Sequence, residues 1–249
     1  MKRVLWLLAL VSAGWLAPAG GAPGASWSID LEGGIAAAGY NDIAVPGDAG
    51  TRFSFTDDLA TRANRYWRLR LGRDLGSRGH LSALIAPLRL AAKGTAPMDV
   101  LFEDRAFAAG TTLEGQYRFD SYRLTYRYDF HAGGTWRLGA GLSAKIRDAE
   151  IRLEGADVKA ATRNTGFVPL IHFRADWTPR PAWSLVCEGD ALIGPQGRAE
   201  DVFLGAAFRV RPELQLKAGY RILEGGADVE QAYNFALVHY LSLGAVMSL

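Results

Sequence analysis

Two carboxylates, Glu188 and Asp190, resemble an acid–base pair by their type and spacing. They lie two positions apart in a stretch of alternating residues, so in a β-strand both side chains share one face about 7 Å apart. Two carboxylates that close can divide the roles of general acid and general base. The same face is predicted to carry basic residues from other strands, and an ion-paired role is the alternative. The sequence favours ion pairing over catalysis.

The histidines and the single cysteine give no complete catalytic or metal-binding set. His239 and Ser242 are three positions apart, so a regular strand points their side chains to opposite faces. His172 shares a face with Asp176, but about 13 Å of strand separates them, which is beyond hydrogen-bond reach. Cys187 falls among outward apolar residues. No spacing fits a metal site, so we expect a protein that is not an enzyme and binds no metal or cofactor.

The charged residues of the alternating stretches are predicted to pair across the interior of a narrow barrel. Isolated charges in a confined space are costly, so opposite charges should neutralise one another there. The predicted network comprises Arg123, Arg127, Lys145, Arg147, Arg174, Glu188, Asp190 and Arg221. Two roles are open: a plug that fixes the shape of the barrel, or a narrow pore whose basic excess selects small anionic solutes.

Long alternating strands must position these side chains. The segment 122–147 shows the pattern best, as two arms joined by the short turn 131–135. Each arm alternates for about nine residues or more, the length that a tilted strand needs to cross a bilayer, whereas soluble strands usually run about five or six. Apolar side chains would then face lipid, and charged ones the interior. The pattern predicts an all-β fold, a closed antiparallel up-and-down transmembrane barrel of about ten strands.

Aromatic residues lie beside the predicted connections, which alternate between long and short. Short turns face the periplasm in outer-membrane barrels, so the long connections should face outward. Two aromatic girdles are predicted from Tyr66, Trp67, Phe130, Trp136, Phe167, Trp177, Trp183 and Tyr233. The alternative is a soluble periplasmic barrel or sandwich with its apolar face inside. That fold would place tryptophans at the ends of its core, where a core is thinnest.

The N-terminal residues predict export. Two basic residues precede the apolar run 4–16, and small residues follow it, as in a signal peptide. We predict that residues 1–25 are the signal peptide and its cleavage region, with cleavage after Ala19, and that residues 26–249 are one barrel domain. The apolar run is short for a transmembrane helix.

The charge balance excludes one class of partner. Residues 1–25 hold two basic residues and no acidic one, so the remaining chain has 26 basic and 26 acidic residues. Nucleic-acid binding requires a basic surface, so we do not expect it. We expect a monomer that contacts outer-membrane lipid and, during biogenesis, the barrel-assembly machinery. The outer loops offer a surface for a partner that their sequence does not identify.

Taken together, the leader, alternating strands, girdles and loop asymmetry resemble the small outer-membrane β-barrel proteins of Gram-negative bacteria. The segments 145–150 and 194–199 are similar to uncharacterised members of that class. The resemblance implies a location in the cell outer membrane and no particular activity. Leu249 departs from it, since assembly signals of this class usually end in an aromatic residue. Three functions stay open: a structural or surface-interaction barrel, a porin-like narrow channel, and a lipid-modifying enzyme.

Overall fold

The computed structural model describes residues 26–249, so the predicted signal peptide lies outside the described residues. Within this range the chain forms β-strands, and no helix could span a membrane. The strands are β1 (Trp27–Ala44), β2 (Phe53–Ser54), β3 (Ala60–Thr61), β4 (Asn64–Leu75), β5 (Gly79–Ala86), β6 (Arg89–Thr95), β7 (Val100–Phe102), β8 (Arg105–Phe107), β9 (Thr112–Gly133), β10 (Trp136–Glu154), β11 (Lys159–Arg180), β12 (Trp183–Gly194), β13 (Gly197–Arg211), β14 (Leu214–Val229) and β15 (Ala232–Ser248).

Ten of these strands close into an antiparallel barrel. The order around the wall is β1, β4, β5, then β9 to β15, and β15 pairs with β1 to complete the ring. This confirms the predicted closed, up-and-down barrel of ten strands. β6 continues the path of β5, because both pair with β9, and the chain is interrupted between them at Pro87. Proline cannot donate a ladder hydrogen bond, which accounts for the interruption at this position.

Apolar side chains cover the outer surface of the barrel. Leu142 is 70% exposed and Leu241 68%, whereas the charged side chains of Arg123 and Glu188 are buried in the interior. A continuous apolar surface of this kind is unfavourable in water but suits the hydrocarbon of a bilayer. We call this surface the apolar belt. The soluble alternative is therefore wrong, because it requires the opposite arrangement of the two faces.

Beyond the belt, the polarity of the long strands reverses. In β10, Ile146 points outward into the belt, but further along the strand Ile151 and Leu153 are buried on the inner side. Their neighbours Glu150 and Arg152 form an ion pair on the outer side. The strand keeps its alternation, so only the surroundings of its two faces have changed. The lower part of the strand meets lipid, and the upper part meets water.

The inward apolar side chains of this upper part form a second core with the connections 45–63 and 87–111. We call these connections, together with the outer ends of β9, β10 and β11, the outer cap. Its largest fully buried side chains include Phe55, Phe102, Phe107, Leu113 and Leu153. One of the connections that the sequence predicts to be long, 148–165, is mostly strand. Most of 148–165 belongs to β10 and β11, which meet at a short turn after Glu154, because a strand with reversed polarity looks like the end of a strand.

Asp148 links the outer ends of three strands above the belt. Its carboxylate accepts hydrogen bonds from Arg118 of β9 at 2.9 Å and from Arg163 of β11 at 2.8 Å. Hydrogen bonding from Arg163 lowers the pKa of Asp148 to about 2. The pKa of an aspartate in the unfolded chain is about 3.9. Asp148 therefore contributes stability above that pH, and the contribution is lost as the pH falls through about 2.

We therefore predict that replacing Arg163 by glutamine raises the pKa of Asp148 toward the ordinary aspartate value. Carboxyl ¹³C NMR of the refolded protein, titrated from pH 6 to pH 1.5, measures this shift. Arg105→Gln is the matched control, since Arg105 contacts Asp104 on the surface of the outer cap and not Asp148. An unchanged titration of Asp148 in the Arg163 variant would contradict the assignment.

Candidate functional site

Asp201 is the centre of the ion network in the barrel interior. Its side chain is 1% exposed and pairs with Arg68 of β4 at 2.9 Å, with Arg221 of β14 at 2.6 Å, and with Arg123 of β9. All three arginines are themselves buried. They come from separate parts of the wall, so this carboxylate on β13 connects opposite sides of the barrel across its interior.

Two further carboxylates share these arginines. Glu32 of β1 accepts from Arg221 at 2.9 Å and from Lys217 at 3.1 Å. Asp190 of β12 accepts from Arg123 at 2.7 Å. Because Arg123 and Arg221 each bridge two carboxylates, the pairs are not isolated contacts but parts of one connected layer. Such sharing satisfies several donors of each guanidinium, which a buried charge requires.

Glu188 and Asp190 do not form a shared acid–base site. Glu188 pairs with Arg70 and, at 2.5 Å, with Arg174, which also binds Asp176 at 2.7 Å. Asp190 belongs instead to the layer around Arg123. Each carboxylate therefore has its own cations. Nearer the short turns, Asp129 accepts from Arg127 at 2.8 Å and from His80 at 2.8 Å.

His172 has a carboxylate partner that the sequence did not reveal. Its Nδ1 lies 3.0 Å from Oδ1 of Asp190, and the Ser143 hydroxyl donates to the same oxygen. A hydrolytic serine must instead hydrogen-bond to the imidazole that removes its proton. The observed contacts hold Ser143 on the carboxylate, so this group of buried side chains has the composition of a triad without its connectivity.

Six of the eight residues predicted for the network form ion pairs in the barrel interior, but in three separate groups. Arg123, Asp190 and Arg221 belong to the layer around Asp201, Arg174 and Glu188 form a second group, and Arg127 pairs with Asp129. Lys145 and Arg147 lie above this layer, and within residues 26–249 neither makes an ion pair with a carboxylate. Asp201 was not among the predicted lining residues. Its position could have been found, because Val202 and Leu204 point outward and the alternation then directs Asp201 inward.

The girdle residues lie on the outer surface with one exception. Tyr66 is only 7% exposed, and its hydroxyl donates to Ser242 at 2.5 Å and contacts Glu32 at 3.2 Å. Its predicted place in the girdle is therefore a mistake: Trp67 points outward, so its neighbour must point inward. Tyr233 lies above the belt, where the Arg52 guanidinium covers its ring at 4.0 Å. Six of the eight predicted girdle residues are exposed: Trp67, Phe130, Trp136, Phe167, Trp177 and Trp183.

A cleft of about 450 Å³ lies above the ion layer, toward the outer ends of the strands. Lys145 and Arg147 of β10 reach into it from one side, and Arg198 and Glu224 lie at its outer edge. We call it the outer cleft. Most of its remaining lining is apolar and comes from β9, β11, β12, β14 and β15; it includes Phe119, Val168, Leu192, Leu223 and Val238.

The closed barrel, its apolar belt and its charged interior define the class of protein: an integral β-barrel of the outer membrane. Closure joins the ten strands into a ring, and the belt provides the surface that lipid requires. The predicted class and the predicted location in the cell outer membrane agree with this architecture.

Comparison with solved structures gives the same fold. The chain is similar to the outer membrane protease OmpT of Escherichia coli, with 9% sequence identity, a TM-score of 0.57, and coverage of 90% of this chain and 97% of that chain. Weaker matches include the COG4313 outer membrane channel of Pseudomonas putida F1 (13% identity, TM-score 0.47, coverage 94% and 100%) and Ail of Yersinia pestis (11%, 0.40, 90% and 99%). No protein-family model and no curated protein matches the sequence. At these identities the similarity extends to the fold alone.

Proposed function

We propose that the protein is a sealed outer-membrane barrel with a structural and surface-interaction role, in which the barrel anchors the outer cap at the cell surface. The observation that carries this proposal is the buried ion layer around Asp201. Three arginines from different strands converge on one carboxylate, and the layer continues through Glu32 and Asp190. A solute could pass only by separating these pairs.

The energetics of buried charge support a seal over a pore. Removing one partner from a buried pair costs about 3–5 kcal/mol, because the remaining charge is left uncompensated. Opening a path through the layer would separate several such pairs at once. A conducting pore would instead need charged rings that line an open, hydrated space. The ion-paired side chains of the wall strands therefore act as a rigid plug in the barrel interior.

The outer cap supports the surface role. Its apolar side chains are enclosed in a core of its own, and its outward positions carry charged residues such as Glu150, Arg152 and Arg163. A folded cap presents a defined surface to the outside, whereas a loose loop would have to be ordered on binding.

Conductance measurements test the proposal. We expect wild-type protein in a planar lipid bilayer to give no resolved current steps in 1 M KCl. The matched positive control is a quadruple variant in which the central residues are replaced by serine: Arg68, Arg123, Asp201 and Arg221. This variant should conduct if it inserts in the same way. Regular steps from the wild type would contradict the seal, and anion selectivity in the reversal potential would then favour the narrow-channel alternative.

A non-catalytic role is part of the same proposal. It is supported by the contacts of Ser143, whose hydroxyl is directed to Asp190 instead of to His172. We expect purified protein to leave the acyl chains and head groups of outer-membrane lipids unchanged over an extended incubation, as followed by mass spectrometry. Lipid products that appear with wild type and disappear with His172→Ala would contradict this and favour the lipid-modifying alternative.

A further inference from the structure

We propose that the outer cleft is a lateral binding site for a single-chain amphiphile with an anionic head group, which enters from the outer leaflet of the membrane. This goes beyond the structural role above, because the outer cleft lies over the sealed layer and does not depend on passage through it.

The wall of the barrel has a gap beside the outer cleft. β11 and β12 pair from Arg180 opposite Trp183 only as far as Ile171 opposite Ala191. β11 then continues to Lys159, and its ladder there runs along β10 on its other side. Pro169 lies in this free stretch and has no N–H to offer to a neighbouring strand. β11 and the hairpin of β12 and β13 therefore separate above Ile171.

The gap opens at the level of lipid. Phe167 and Ile193 lie on its two sides and point outward, and the Ile193 side chain is 75% exposed. These residues form the outer end of the apolar belt, so the gap faces hydrocarbon as well as the region above it. Irregular backbone at membrane depth is tolerated where it lines a cavity. An acyl chain can therefore enter the outer cleft sideways without leaving an apolar environment.

The head group is indicated by two basic side chains. Lys145 is 3% exposed and lines the outer cleft, and its ammonium contacts the face of the Phe119 ring at 4.8 Å. Within residues 26–249 it has no carboxylate partner. Arg147, two positions along the same face, bonds Asn164, but its Nε is buried and has no hydrogen-bond partner. The arginines of the ion layer are neutralised by carboxylates, and these two residues are not.

Lys145 and Arg147 lack a negatively charged partner, so the ligand that fits them is an anion. A buried cation without a counter-ion is costly, and a carboxylate or phosphate between Lys145 and Arg147 would compensate both. Glu224, the carboxylate at the outer edge of the cleft, is engaged by Arg198 at 2.7 Å and by the Tyr40 hydroxyl. It is therefore not available to neutralise the pair.

The rest of the outer cleft fits one acyl chain. Its apolar lining faces the two cations, and a volume of about 450 Å³ lies within the range that accommodates one small ligand. Apolar walls with a few convergent charged groups at one end match a molecule that has the same division. A chain with an anionic end, embedded in the outer leaflet, has this form.

Photolabelling tests the site with a defined probe. The refolded protein is placed in phosphatidylcholine nanodiscs with palmitate that carries a diazirine near the middle of its chain. We expect the label in peptides that cover 166–169 and 192–199. Unlabelled palmitate should compete at least tenfold more effectively than methyl palmitate, which has the same chain without the charge. Labels spread evenly around the apolar belt, or equal competition by the two compounds, would overturn the proposal.

Two variants separate the head-group and chain contributions. Lys145→Met removes the charge but keeps an unbranched side chain, and it should reduce labelling by palmitate at least tenfold while removing the difference between acid and ester. Leu192→Trp should reduce labelling by both compounds, because it fills the outer cleft. Lys93→Met, at an exposed position of the outer cap, is the matched control and should label like the wild type. Undiminished labelling in both cleft variants would overturn the proposal; should Lys145→Met fail to fold, the wild-type competition and Leu192→Trp decide.

Discussion

Replacing Asp201 by asparagine is expected to lower the free energy of unfolding of the barrel by about 3–5 kcal/mol, the cost of removing one partner from a buried ion pair. The two side chains have nearly the same shape, so the change creates no cavity. What it removes is the negative charge that Arg68, Arg123 and Arg221 share. All three arginines are buried, so solvent cannot replace the lost carboxylate.

Urea unfolding of the protein in lipid vesicles, followed by tryptophan fluorescence, measures this change. Glu114→Gln is the matched control, because it removes a carboxylate that pairs with Lys93 on the exposed surface. An exposed pair of this kind contributes about 0–1 kcal/mol, so the control should unfold close to the wild type. Equal and small changes in both variants would show that the interior layer does not hold the wall together.

The faces of the strands could be predicted from the sequence because alternation is a local property. Each residue's side is fixed by its neighbour, so Leu142 lies outside and Arg123 inside wherever the strand is placed. The same rule contains the information that was overlooked. Because Trp67 points outward, Tyr66 must point inward, and because Val202 points outward, Asp201 must point inward. These two errors lie in the reading of single positions and not in the principle.

The pairings across the interior could not be predicted in the same way, because they depend on the register between strands. His172 and Asp190 are opposite one another only because β11 and β12 pair in one particular alignment. Within β11, Asp176 lies on the same face as His172 but is too distant for a hydrogen bond. Shifting the register by two residues would keep every side chain on its face and would exchange every partner. The sequence specifies the faces, and the closed ring specifies the contacts.

The outer cap could not be recognised from the sequence, because the lower part of a strand such as β10 lies in lipid and its upper part lies in water. Sequence patterns identify a membrane strand by apolar residues on its outer face, and that pattern ends near Ile146. Beyond this point Ile151 and Leu153 continue the alternation on the opposite face. The reversal has a physical origin. Above Ile146 the outer face of the strand meets water instead of lipid, and its inner face packs against the connections 45–63 and 87–111 instead of charged side chains. The position of the reversal therefore marks the outer boundary of the membrane.

Replacing Phe55 by alanine is expected to unfold the outer cap while the barrel stays intact. Phe55 is fully buried, and its ring packs so closely on β9 that a Cβ at Gly115 would lie 2.6 Å from the ring. Removing a buried phenylalanine side chain costs about 3–5 kcal/mol, a large share of what a small core can contribute. Phe55 belongs to the apolar core of the outer cap, so the loss should be confined to the cap.

Limited proteolysis with gel analysis distinguishes the two parts. We expect rapid cleavage within 45–63 and 96–111 in Phe55→Ala, with fragments that still migrate together as a folded barrel until they are heated. Phe167→Ala removes the same side chain from the lipid-facing surface, where it leaves no cavity, and should be cleaved like the wild type. Gly115→Ala should resemble Phe55→Ala, because the added methyl group displaces the ring. If Phe55→Ala lost the barrel and the cap in one step, the two would form a single cooperative unit, and the membrane boundary at Ile146 would separate solvents but not folding units.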